Sequence, residues 1–220
     1  MTHSSPLTVE LFVATGCSHC PIVLNELSEQ LKKGTIASLK ITNIAVDNER
    51  AAQLNIRSVP WFSVKHDSSF MIFSGSHTPK EIRQLISTAQ TEKGMQDYIE
   101  DALSNGQLNT VIQAIEIEPA SFAAIISMLE DEDTSMEVRI GLDALIESFA
   151  SSEVLKVNVD AFKKIANSNN LRLQIDALHY IALAAEPENG SFIKKFTQHE
   201  DPQLKEAAVE ALETLNDLVA

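Results

Sequence analysis

Apolar residues in the first ninety positions recur with two different periods, and each change of period marks a new element. Val9-Glu10-Leu11-Phe12-Val13 reads as a strand over about 8–14. From Ile22 the spacing lengthens to that of a helix, through Val23, Leu24, Leu27 and Leu31, which predicts a helix near 18–33. Alternation returns in Leu39-Lys40-Ile41-Thr42-Asn43-Ile44-Ala45-Val46, a second strand. Asp47-Asn48-Glu49-Arg50 then opens a short helix through Leu54. Trp61-Phe62-Ser63-Val64 begins a strand at 61–66, and Asp67-Ser68-Ser69 turns it into another at 70–74 that ends at Gly75. Thr78-Pro79-Lys80-Glu81 is a capping signature with proline at the first helical position, for a helix reaching about Ala89. This order predicts an α/β domain over 1–94, a central mixed sheet flanked by helices, with Gln90-Thr91-Glu92-Lys93-Gly94 as the junction to the remainder of the chain.

From Met95 onward the pattern changes. No strand is convincing, and the segments between Asn105-Gly106, Asn169-Asn170 and Glu188-Asn189-Gly190 carry helical spacing, as in Phe122, Ile125, Ile126 and Leu129. Three blocks align: Val138-Arg139 with Ala144-Leu145, Leu171-Arg172 with Ala177-Leu178, and Leu204-Lys205 with Ala211-Leu212. The Ala-Leu pairs lie 33 and then 34 residues apart, and each block comes after a polar turn. Helix pairs of this period bury their apolar stripes only by stacking, which predicts an all-α solenoid over 95–220. The blocks resemble short HEAT-like repeats across about 119–218, with 95–117 as a capping helix pair; a generic helical bundle is the plainer alternative. Tetratricopeptide repeats share the period but not the aromatic and glycine signature.

Composition sharpens this division. The chain has 220 residues, enough for two small domains, and no apolar run approaches a membrane span. Residues 1–94 hold 9 Lys and Arg against 8 Asp and Glu, whereas 95–220 hold 8 against 23. The second part therefore has a net charge of −15, which speaks against nucleic acid as its partner. Met1-Thr2-His3-Ser4-Ser5-Pro6 lacks a basic segment and an apolar one after it, so no signal peptide and a cytoplasmic location are expected. A disulfide in that compartment is usually transient and catalytic.

The candidate chemistry lies in Cys17-Ser18-His19-Cys20-Pro21, between the first strand and the first helix, and in Val59-Pro60 ahead of the third strand. Two cysteines on the first turn of a helix can open and close a disulfide, and the pattern points to thiol–disulfide exchange. The attacking species is a thiolate, so a redox cysteine needs its pKa lowered from about 8.5. A helix N-terminus supplies unpaired N–H groups and roughly half a positive charge. Cys17, at or just before that terminus, is the expected nucleophile; Cys20, one turn on, is the expected resolving thiol. His19 is either a tuning group, favouring thiolate and making the disulfide a stronger oxidant, or a solvated histidine at a helix start. The same cysteine pair is half of a zinc site, but completing it would need His19 or the distant His66 and His77, and nothing places these at ligand spacing. No metal and no organic cofactor is implied. In the second half His179 and His199 stand alone, and Asp143, Asp176 and Glu210 read as solvated or packing-edge carboxylates.

These motifs resemble a thioredoxin-fold domain over about 7–90, most similar to the glutaredoxin-like units of prokaryotic thiol–disulfide oxidoreductases. The resemblance implies that Pro60 is cis and faces the Cys17–Cys20 disulfide, and that Val59 pairs its backbone with bound substrate. Trp61 then either packs in the core or lines the substrate groove. Two features depart from thioredoxin itself: Gly16 stands where a tryptophan precedes the first cysteine, and Leu11 replaces a buried aspartate. Glu10 is a displaced proton acceptor or an edge carboxylate. The expectation is an oxidoreductase acting on a protein disulfide or dithiol, its helical repeats binding or selecting the partner. The alternative is a non-catalytic adapter, with the first domain a docking module and the repeats binding a protein, often a basic one. Neither reading involves nucleic acid or a membrane.

Overall fold

The computed structural model describes residues 6–220. The stretch Met1–Ser5, on which the expectation of no signal peptide rests, lies outside the described residues. The chain divides into two compact units, Met1–Ser121 and Phe122–Ala220.

The first unit runs β1 (Thr8–Val13), α1 (Cys20–Lys32), β2 (Ser38–Asn43), α2 (Glu49–Gln53), β3 (Trp61–His66), β4 (Ser69–Ser74), α3 (Pro79–Ala89), α4 (Gly94–Ser104) and α5 (Leu108–Ile117). Its four strands form one mixed sheet in the order β2-β1-β3-β4, with β1 parallel to β2 and the other neighbours antiparallel. Leu11 pairs with Phe62, and Phe62 with Phe73; these residues share one face. Phe12, Trp61 and Ser74 succeed one another across the opposite face. Val23 and Leu27 of α1 and Ile82 and Ile86 of α3 are buried, and Arg83 of α3 pairs with Glu26 of α1 at 2.9 Å. The predicted capping box is present: Thr78 Oγ1 accepts from Glu81 N–H, and Glu81 Oε2 accepts from Thr78 N–H. The second strand stops short of its predicted end. Asn43 Oδ1 accepts from Ala45 N–H and closes a turn, which removes 44–46 from the alternation.

Residues 95–117, expected as a capping helix pair of the second domain, group with the sheet in the first compact unit, and the outer strand supplies the reason. On β4 the backbone groups of Phe70 and Ile72 that do not face β3 need partners. The Tyr98 hydroxyl, from α4, accepts from Ile72 N–H and donates to Ile72 C=O, both at 3.2 Å. Ser121 Oγ accepts from Phe70 N–H and donates to the Ser68 carbonyl, both at 3.0 Å. Gly94 is no loose linker. It is buried, and a Cβ there would collide with the Thr88 carbonyl oxygen, so only glycine lets α4 start this close to the end of α3. The compact units also redistribute the charge. Residues 1–121 hold 9 Lys and Arg against 13 Asp and Glu, and 122–220 hold 8 against 18, giving −4 and −10.

The second unit is helical: α6 (Ala123–Glu130), α7 (Met136–Glu147), α8 (Glu153–Ala166), α9 (Leu171–Leu183), α10 (Asn189–Ile193) and α11 (Pro202–Val219). The three aligned blocks fall at the starts of α7, α9 and α11, and their polar turns are N-caps. Ser135 Oγ accepts from Val138 N–H, Asn170 Oδ1 from Leu173 N–H, and Asp201 Oδ1 from Gln203 and Leu204 N–H. Arg139 is buried, and its guanidinium donates to the carbonyls of Leu129, Asp131 and Thr134, at and just beyond the C-terminus of α6. Tyr180 of α9 donates to Asp143 of α7. Asp176 lies beside this pair, and burial, then the Asp143 charge, raises its carboxyl above the ordinary carboxylate range. Among the described residues, no helix is long and apolar enough to cross a membrane.

These contacts set two expectations for stability. Tyr98→Phe leaves the Ile72 N–H and C=O buried without a partner and is expected to cost about 1–3 kcal/mol; an unchanged urea midpoint would show that water replaces the hydroxyl. The raised Asp176 carboxyl opposes folding while it is ionised, at neutral pH, and stops doing so once pH falls below its unfolded value. Asp176→Asn is therefore expected to raise Tm at pH 7, with the gain shrinking below about pH 4; a gain that grew in acid would contradict this.

Candidate functional site

The chain leaves β1 at Val13 and turns sharply before α1. Cys17 N–H donates to the Ala14 carbonyl at 3.2 Å, and Gly16 sits in the left-handed region at φ 83°. Any residue with a side chain would be strained at that position. Cys17 and Cys20 form a disulfide with their Cα atoms 5.5 Å apart. Cys20 begins α1 and is buried, whereas Cys17 is half-buried. Cys20 N–H donates to Cys17 Sγ at 3.1 Å, so the helix terminus points an amide at this sulfur. That contact favours negative charge on Cys17 and suits it to the attacking role.

Facing the disulfide is the segment before β3. The Val59–Pro60 peptide is cis, and the Val59 carbonyl oxygen lies 3.7 Å from Cys17 Sγ. A third segment completes the site. Gly75, just beyond β4, donates its N–H to the Pro60 carbonyl at 2.9 Å, and the next residue, Ser76, places its hydroxyl 3.3 Å from His19 Nδ1. His19 is exposed at the N-cap position of α1, and Ser76 is exposed beside it. Sequence reasoning missed Ser76. It lies in a loop with no motif, and only the hairpin register carries it to the site.

Cys17, His19, Cys20, Val59 and Pro60 are therefore gathered in one place. Trp61 is buried on β3, edge-on to Phe12 at 5.3 Å between ring centroids, and so belongs to the core beneath the site; it also borders an open groove on that face. Glu10 pairs with Lys40 at 2.7 Å and Arg50 at 3.6 Å, which makes it an ion-paired carboxylate. His66 and His77 do not join the cysteines. His77 packs edge-on against Phe62 and Phe73, and His66 lies at the end of β3. Among the described residues no three His, Cys, Asp or Glu side chains gather as a metal-ligating group.

Chemically, this is a surface disulfide with one accessible sulfur, backed by a helix N-terminus and bordered by a backbone segment against which an extended chain could lie. Compared with protein-family models and with curated proteins, the chain matches none.

Proposed function

We propose that the protein is a thiol–disulfide oxidoreductase acting on a protein partner. The observation that carries this reading is the placing of half-buried Cys17 beside both a helix-terminal amide and the Val59–Pro60 backbone. In the reducing direction, the Cys17 thiolate attacks a sulfur of the client disulfide. A Cys17–client bond forms, and the client's other sulfur leaves as a thiolate. The Cys20 thiolate then attacks Cys17 Sγ, the Cys17–Cys20 bond forms, and the second client thiolate departs. Two electrons pass to the client, and an external dithiol or glutathione restores the enzyme. The oxidising direction is the reverse.

Three features support the finer reading. The sheet order β2-β1-β3-β4, with the dithiol after β1 and the cis proline before β3, fits a thioredoxin-like fold. Capped helices α7, α9 and α11, each bearing the same block, fit HEAT-like repeats. A helical repeat unit on the same chain would hold a protein partner at high effective concentration near the dithiol.

Titration with glutathione, with thiol labelling as the readout, should show a reversible two-electron couple. A midpoint near about −270 mV marks a reductant, and one above about −200 mV an oxidant or isomerase. Insulin reduction should be lost in Cys17→Ser. No reversible couple would leave the chain an adapter. His19 next to Cys20 favours the thiolate state, so His19→Ala is expected to move the midpoint to a more negative potential. A shift of about 30 mV would correspond to about tenfold in the exchange equilibrium; an unmoved or more positive potential would remove His19 from the tuning role.

A further inference from the structure

The segment that delivers the chain to Val59 is also one wall of an open groove of about 720 Å³. Trp61, Ile72 and Ser74, on the β3–β4 pair, form its floor, and α5 is the opposite wall. The Gln113 side chain of α5 donates to the Leu54 carbonyl and pins the two walls together. The wall residue Ser58 directly precedes Val59, whose carbonyl faces Cys17 Sγ. Consecutive Cα atoms are about 3.8 Å apart, so the groove begins one residue from the site of exchange.

The lining says what fits. Ser58, Ser74, Asn109 and Thr110 offer hydroxyl and amide groups able to bond the backbone of an extended chain, as a mainly apolar groove for an amphipathic helix would not. Arg57 lies on the same wall, two residues before Val59; it is exposed and has no ion-pair or hydrogen-bond partner among the described residues, and the lining's one carboxylate, Glu116, belongs to α5 on the opposite wall. Its guanidinium offers a fork of donors suited to a carboxylate.

Resting on the oxidoreductase reading, we infer that this groove receives the extended stretch of the client that flanks its reacting cysteine, and that Arg57 selects a stretch carrying an aspartate or glutamate close to that cysteine. The substrate class is a protein cysteine in an acidic, extended context. Arg57 acts as a specificity residue and takes no part in the electron transfer.

The test uses the full chain and two synthetic peptide disulfides that differ only in having aspartates or lysines beside the cysteine, with hydroxyethyl disulfide as a neutral small substrate. An exposed charge pair is worth about two- to fivefold. Wild-type kcat/KM should favour the acidic peptide by that factor, and the preference should fade as salt is raised. Arg57→Gln should abolish the preference, and Arg57→Glu should reverse it, a gain toward the basic peptide that misfolding cannot produce. If the wild type turns over hydroxyethyl disulfide but treats the peptides alike, or if the preference survives in Arg57→Gln, the groove inference is overturned and the oxidoreductase reading stands. If the wild type turns over neither the small disulfide nor the peptides, the oxidoreductase reading falls and takes this inference with it.

Discussion

The register of β1 against β3 is the constraint on which the site depends. Because these neighbours are antiparallel and Phe12 stands opposite Trp61, the exit of β1 and the entry of β3 lie at the same end of the sheet. The residues after β1 are the dithiol turn, and those before β3 are Val59 and Pro60. The next pairing, Trp61 opposite Ser74, brings Gly75 and Ser76 to that end as well. Two registers thus assemble a site from three loops distant in sequence. A slip of one residue in either would turn Phe12 or Trp61 to the wrong face, so the core that fixes the register also fixes the chemistry.

The second constraint is the exposed side of β4. A strand with unpaired N–H and C=O groups is open to pairing with other chains, and this protein covers it with two hydroxyls, from Tyr98 and Ser121. Meeting that need places α4 and α5 against the sheet. It also makes α5 the far wall of the groove beside Val59. A structural necessity at one edge of the sheet therefore shapes the surface that the proposed client would meet.

The features legible in the sequence are local. Alternation at 8–14 and 61–74, the capping box at Thr78, and the Cys17–Cys20 spacing each depend on residues a few positions apart, and the structure bears these out to within a few residues. The polar turns before α7, α9 and α11 are visible for the same reason. The contacts that stay hidden span long distances. Nothing in Tyr98 announces that its hydroxyl serves Ile72, and nothing in Ser76 announces that it meets His19. A boundary at 94/95 rests on charge and on a glycine-ended polar stretch. Both cues are real, but Gly94 allows close packing, and the acidic residues Asp97, Glu100, Asp101, Glu116 and Glu118 lie on the sheet's own unit.

This shift in charge bears on how a client would be chosen. With the boundary at 121/122, the sheet unit is itself acidic, at −4. A uniformly acidic client would be repelled by both units, and a uniformly basic one would find no complement in Arg57. Attraction at long range and selection at contact are different physical terms: the first depends on net charge and is screened beyond about 10 Å at 0.1 M salt, whereas the second depends on the groups that touch. A client can satisfy both only if its charge is uneven, with an acidic stretch at the reacting cysteine and no acidic excess elsewhere. On this argument, discrimination among disulfides comes from local charge pattern more than from sulfur chemistry, which every disulfide shares.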